Sequence, residues 1–207
     1  MFFKKLTRRP EAEYHSNRGD FYADYRKNYA NVALDCEQRC VYCDISIEES
    51  GGDEMHLDHF RPQEHFKDLS IHPYNLYLSC PKCNILKTSD WPVPRIVDGP
   101  TFVGSIGYID RFQHDCNIFL YVDKDGYIVP VSGPIKYMIG KMHLNRPSRV
   151  NVRRRRIIEH RKTNILSGIL RLTDRLQAAT AEGKLSLVQR EQKRAQIDEL
   201  LKSYSML

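Results

Sequence analysis

Long apolar runs are missing from this chain: none of its 207 residues lies in a stretch of more than a few consecutive apolar side chains. That excludes a bilayer-spanning helix, which needs about 20 of them, so no membrane partner is expected. The opening MFFKKLTRRP has no apolar core followed by a cleavage site, so no secretory signal is expected and a cytoplasmic location is. Internal repeats, low-complexity linkers and a glycine-rich phosphate loop are also missing, which leaves nucleoside-triphosphate chemistry without support in this chain. Without a secretory context, the six cysteines are not expected to form a disulfide framework.

What is present is basic. Lys and Arg number 32 against 26 Asp and Glu, for a net charge of +6 and a pI near 9.0, a balance that suits a polyanionic partner. The excess is concentrated: from Lys141 to Arg175 eleven cations face only Glu159 and Asp174. Arg153 to Arg156 are consecutive, so on a helix they span a full turn. Two at most can follow one phosphate track, and Arg153 and Arg154 are the candidates. A solvated or partner-facing helix is the competing reading of this segment, and a steep loss of affinity with salt is what separates the two.

Four segments follow from composition and periodicity. Residues 1–35 carry Tyr14, Phe21, Tyr22, Tyr25 and Tyr29, at helical spacing from Phe21 onward, which predicts an N-terminal helical arm. Residues 36–98 are dense in Cys, His, Asp, Asn and Pro, the composition of a chemical site. Residues 99–144 alternate short β-prone pieces with turn residues such as Asp125-Gly126, which predicts a small β-rich extension with a hairpin. Residues 145–207 turn helical, with Ile158, Ile165, Ile169, Leu172 and Leu176 on one face and a stop at Gly183. A second helix starts at Ser186, capped with Gln189, with Ile197, Leu200 and Leu201 as its apolar stripe. The fold class expected is α+β.

Cys40/Cys43 and Cys80/Cys83 form two C-x-x-C pairs, and tight turns of this kind bring four thiolates to one tetrahedral zinc ion. Thirty-six residues separate Cys43 from Cys80, so the ion is expected to close the base of a loop that holds something else. Four thiolates leave no open coordination position, which makes the zinc structural. Cys36 and Cys116 stand outside the pairs as core residues.

Inside that loop lies His56-Leu-Asp-His-Phe-Arg-Pro62, followed by Asn75, Asn84 and Lys87. Phosphodiester hydrolysis needs a deprotonated water, stabilised phosphoryl oxygens and a helped leaving oxygen. Histidine titrates near neutral pH and suits the first task. A magnesium-type cation favours oxygen ligands and keeps several waters, so one carboxylate and one amide oxygen, Asp58 and Asn84, can hold it. His56 reads equally as a hydrogen-bonded structural residue or a member of the metal site, and His65 and His72 read as surface or loop residues.

The ordered set D-H-x-x-P at Asp58–Pro62, N-L at Asn75 and C-x-x-C-N-x-x-K at Cys80–Lys87 resembles the HNH, or ββα-metal, nuclease family, and the four-cysteine site resembles that of its subgroup with two zinc knuckles. The resemblance covers residues 36–92 or so and implies a ββα-metal core. It assigns His59 as general base, Asp58 and Asn84 as ligands of Mg²⁺ or Mn²⁺, and Asn75 as the brace of the loop orienting the base. Arg61 and Lys87 become phosphate contacts. Implied is an endonuclease acting on nucleic acid, DNA ahead of RNA. The alternatives are RNA cleavage and a non-catalytic zinc-dependent nucleic-acid-binding or adaptor module. The tail, with L-N-R-P-S before an arginine-rich helix, is similar to HNH effectors of prokaryotic anti-phage modules of the Septu and retron-associated kind. Those work beside an ATPase partner, here expected to dock on the N- or C-terminal helices.

Overall fold

A computed structural model describes residues 2–15, 25–51 and 54–207. They divide into two compact units, Met1–Val152 and Arg153–Leu207.

The centre of the first unit is a hairpin followed by a helix. Strand β1 (His56–His59) pairs antiparallel with β2 (Leu76–Ser79), with His56 opposite Ser79 and His59 opposite Leu76. In β1 His56 is exposed and Asp58 buried, whereas the run Leu76-Tyr-Leu suits a strand buried on both sides, and every residue of β2 is buried. Helix α2 (Pro81–Lys87) starts directly after Cys80, with Pro81 in the first helical turn, where its missing N–H costs nothing. Helix α1 (Tyr29–Asp35) packs on β2 through Val32 and Ala33, and the Leu78 carbonyl accepts from Val41 N–H at 2.9 Å.

Residues 99–144 share this core. Hairpin β3–β4 (Phe102–Val103, Ile106–Gly107) turns at Gly104, which takes a positive φ. Hairpin β5–β6 (Leu120–Val122, Ile128–Pro130) turns through Asp125-Gly126 as the dipeptide predicts, with the Asp123 carboxylate accepting from the N–H groups of Asp125 and Tyr127. Helix α3 (Ile135–Met142) follows, and Tyr108, Leu120, Ile128, Ile135 and Met142 join the cysteines and Leu78 in one cluster of buried side chains.

The N-terminal arm departs from expectation. Residues 2–10 form no helix: Leu6 N–H donates to Arg111 O at 2.8 Å, so the backbone spends its hydrogen bonding on the core rather than on itself. Phe3 and Leu6 are buried, and Arg8 lies over the rings of Tyr77 and Phe112. Short 3₁₀ turns at Glu11–Glu13 and Tyr25–Asn28 and helix α1 are the helical parts among the described residues of this segment. Phe21 and Tyr22 lie outside those residues.

In the second unit the expected helical pair is present. Helix α4 (Pro147–Ala181), whose first residues belong to the first unit, ends before Gly183 at φ +65°. Helix α5 (Leu187–Ser205) opens with the capping box: the Ser186 hydroxyl accepts from Gln189 N–H, and the Gln189 side chain accepts from Ser186 N–H. Lys162 over Tyr204 and the approach of Gly168 to Leu200 place the two helices side by side, antiparallel. Ile158, Ile165, Ile169, Leu172 and Leu176 are all half-buried, and no residue of α5 is fully buried.

Candidate active site and metal centre

The two C-x-x-C turns are built differently. Cys40 and Cys43 sit on a tight turn closed by Asp44 N–H donating to Cys40 O and Cys40 N–H donating to Ile45 O, both at 2.9 Å, with Asp44 in the left-handed region. The Asp44 carboxylate is anchored by the buried Arg111 at 3.2 Å. Cys80 occupies the N-cap position of α2 and Cys83 its first turn. All four sulfurs are buried, lie within 4.8 Å of one another, and the Cys43–Cys80 pair is separated by 3.7 Å. Zinc–sulfur bonds of 2.3 Å in a tetrahedron require sulfur–sulfur edges of about 3.8 Å. The cluster therefore fits the ion in donor chemistry and in size.

Two arginines complete this centre, and sequence reasoning had assigned neither to it. Arg146 Nη2 lies 3.7 Å from the sulfurs of Cys80 and Cys83 and 3.9 Å from Cys43, and Arg149 Nη2 lies 3.5 Å from Cys80. Four thiolates around a dication carry a net charge of −2, which two guanidinium ions offset. The hydrogen bonds among Cys40, Cys43, Cys83 and Cys80, together with Arg149, hold the Cys80 thiol far below the ordinary thiol range. Against the desolvation that burial imposes, Cys43 and Cys80 hold Arg149 above its ordinary value. The only trace in the sequence is the three-residue spacing of Arg146 and Arg149 at the foot of the arginine-rich helix, where both read as part of a field for phosphates.

The period-two geometry of β1 sends His56 and Asp58 to one face and His59 to the other. Asp58 is buried, and its carboxylate is held from two sides. Tyr42 donates its hydroxyl to Oδ2, and Lys87 Nζ stands 3.1 Å from Oδ2 and 3.4 Å from Oδ1. Lys87 is fully buried and also donates to His59 O at 2.8 Å, with the rings of Tyr42 and Tyr108 about it. The phosphate contact expected of Lys87 is thus replaced by a structural one: its ammonium fixes the carboxylate and the backbone on either side of the Asp58–His59 peptide.

His59 is oriented by its far nitrogen. Ring Nε2 lies 2.7 Å from Ser70 O. A carbonyl only accepts, so Nε2 carries a proton, and in the neutral tautomer this leaves the lone pair on Nδ1. The Tyr25 ring packs edge-on against the imidazole at 5.3 Å. Asn75 ties the intervening loop: its Oδ1 accepts from Arg61 N–H at 2.8 Å, and its Nδ2 donates to Arg61 O and Leu69 O at 3.0 and 3.2 Å. These three hydrogen bonds tie Arg61 to Leu69, next to Ser70.

Arg61 is also structural. It is 8% exposed, donates to Ile96 O and Gly99 O at 3.2 and 2.6 Å, and stacks near Trp91 and Phe66. A buried guanidinium with two carbonyl partners pins the 96–99 turn rather than meeting a phosphate. Arg153 is buried at 1% exposure whereas Arg154 is exposed, so of that pair only Arg154 presents its cation to solvent. His65 and His72 are engaged by backbone groups at 2.9 and 3.2 Å, in keeping with loop roles, and Cys36 and Cys116 are core residues.

Asp58, His59 and Asn84 line one shallow recess of about 240 Å³ with Pro62 and Glu64. Asn84 also borders a larger neighbouring recess of about 510 Å³, whose wall carries Tyr25, Arg26, Tyr29 and His56. Arg26 is exposed there, a cation beside the catalytic candidates that the helical-arm reading of residues 1–35 passed over. A carboxylate and an amide oxygen bordering an open recess are the donor set that a hard divalent cation takes. Residues 40–90 match the family model described as HNH endonuclease. The chain carries an HNH domain. Its ββα frame is β1, β2 and α2, with the four clustered cysteines at its base. The HNH domain implies a nuclease-type function, metal binding and nucleic-acid binding. No curated protein and no solved structure was found to match the chain. Among the described residues no helix is long and apolar enough to cross a membrane.

Proposed function

We propose that this protein is a metal-dependent HNH endonuclease that hydrolyses phosphodiesters, DNA before RNA, with His59 as general base. The observation that carries the reading is the recess lined by Asp58, His59 and Asn84, with the His59 imidazole held at Nε2 by Ser70 O. Asp58 and Asn84 would hold a Mg²⁺ or Mn²⁺ ion, which when bound supplies positive charge to the phosphoryl and leaving oxygens. His59 Nδ1 takes a proton from the attacking water, and the Ser70 carbonyl keeps the ring from turning as the imidazolium forms. Lys87 and Tyr42 hold the Asp58 carboxylate in a single rotamer. Arg26, exposed on the wall of the neighbouring recess, is a cation available to a substrate phosphate. The Cys40, Cys43, Cys80 and Cys83 centre would hold a structural Zn²⁺.

The same proposal includes a biological setting, an effector of a prokaryotic anti-phage module acting with an ATPase partner in the cytoplasm. It extends the resemblance read in the L-N-R-P-S tail, which no comparison shows, and is favoured by the exposed Leu166, Leu170, Leu187 and Val188 of the helical pair. The biochemical reading is tested on purified protein with double-stranded DNA, single-stranded DNA and tRNA, in Mg²⁺ and in Mn²⁺. Wild type is expected to cut double-stranded DNA, with product lost in Asp58→Ala and Asn84→Ala. Salt-sensitive binding that survives both substitutions, with no product from wild type in either cation, assigns the chain to the non-catalytic binding class instead.

A further inference from the structure

We infer that His56 is a ligand of the catalytic cation, and that the centre accordingly takes a first-row transition-metal ion such as Mn²⁺ in preference to Mg²⁺. The inference rests on the nuclease reading above and adds a ligand and a metal class to it. Its origin is the way β1 and α2 face each other. His56 and Asp58, two apart on a strand, share a face, and Asn84 and Lys87, three apart on a helix, share another. The faces meet as two pairs: Lys87 Nζ with Asp58 Oδ2 at 3.1 Å, and the Asn84 amide with His56 Nδ1 at 3.2 Å.

The pairs differ in what they leave available. Asp58 is buried and already shared between a phenol and an ammonium, so much of its charge is offset before any cation arrives. A Mg²⁺ ion depends on anionic oxygen for its binding energy, and a centre whose carboxylate is paired with lysine provides little. His56 is exposed and lines the open recess that Asn84 also borders, with its Nδ1 against the Asn84 amide. An imidazole nitrogen beside oxygen donors favours the later first-row ions over magnesium.

The spacing also fits. Two ligands at right angles on an ion with bonds near 2.1 Å stand about 3 Å apart, close to the 3.2 Å between the Asn84 amide and His56 Nδ1. As placed, the amide NH₂ donates to the ring nitrogen. A half-turn of the amide puts its oxygen at the same point, since the two ends are nearly equal in size. With Nδ1 unprotonated, two lone pairs would then converge at contact distance, an arrangement that a cation between them stabilises.

The test uses the full chain with its zinc retained and one equivalent of Mn²⁺. Binding is followed by titration, and the electron spin-echo of bound Mn²⁺ is examined for modulation by a coordinated imidazole nitrogen. Wild type and His59→Ala are expected to show the modulation, and His56→Ala to lose it with Mn²⁺ affinity weakened at least tenfold and Mg²⁺ affinity changed less than twofold. His56→Asn, which keeps a polar contact with Asn84 but has no imidazole, is expected to lose the modulation as well, and unchanged zinc content in each variant shows that the fold is kept. Modulation and affinity retained in His56→Ala overturn the inference. If Asp58→Ala and Asn84→Ala still abolish Mn²⁺ binding in that case, the nuclease reading stands without it. If none of the three substitutions alters Mn²⁺ binding, both fall.

Discussion

Lys87 illustrates how a single residue can be placed in the right site with the wrong task. Its position in C-x-x-C-N-x-x-K marks it as part of the chemistry, but depth cannot be read from spacing, and the structure puts its ammonium at zero exposure against Asp58. A buried ion pair that loses one partner leaves the other charge uncompensated, which costs about 3–5 kcal/mol. Lys87→Met is therefore expected to lower stability by that order in denaturant melts. Combining it with Asp58→Asn should recover part of the loss, because the stranded charge is then removed; a double-mutant cycle reads the difference. The same contrast of depth governs the cysteines outside the zinc pairs. Burial pushes the Cys36 thiol up to about 11 and the Cys116 thiol to about 12. At pH 7 only about one Cys36 in 10⁴ is then a thiolate. Both thiols should resist an aromatic disulfide reagent in native protein and react fully in denaturant, which a time course of thiol titration measures.

At the scale of elements, the two C-x-x-C turns were legible because ligand chemistry fixes their spacing. The strand-to-helix frame, with Asn84 on the helix that Cys80 opens, was legible only as what the resemblance to the HNH family implies. The N-terminal segment was not legible in the same way. Aromatic residues three or four apart suit a helix, yet Phe3, Leu6 and Arg8 are held by partners more than sixty residues away, including Arg111 and Leu76. Periodicity within a window is blind to such contacts. The arginines over the sulfurs were missed for a related reason: Arg146 and Arg149 are close to the cysteines only in space. They give the centre a testable property. Residues that hydrogen-bond metal ligands typically contribute 10- to 100-fold to affinity. Arg149→Ala should speed zinc release to a chromogenic chelator by about that factor, and complete removal of zinc should unfold the first unit, seen as loss of its near-ultraviolet circular dichroism.

On the scale of the whole molecule, the excess of cations is the property that matters, and the structure redistributes it. Arg61, Lys87, Arg146 and Arg149 serve the fold or the zinc centre, so fewer basic groups remain for nucleic acid than the raw charge suggests. Arg26, Arg154 and Arg155 are among the exposed ones. Each phosphate contact contributes about 0.9 to the slope of log affinity against log salt on duplex DNA. Arg154→Gln and Arg155→Gln should each reduce that slope by about one if the residue meets a phosphate, and by nothing if the helix faces a protein instead; fluorescence anisotropy over a salt series reads the result. The proposed hydrolysis hinges on His59, whose imidazole Ser70 O holds at Nε2, acting as the base. Single-turnover cleavage of double-stranded DNA by wild type and His59→Ala, at equal zinc content and saturating Mn²⁺, tests it most directly. General-base removal predicts a rate lower by about 10²- to 10⁴-fold with DNA affinity unchanged; equal rates from the two proteins would contradict the account.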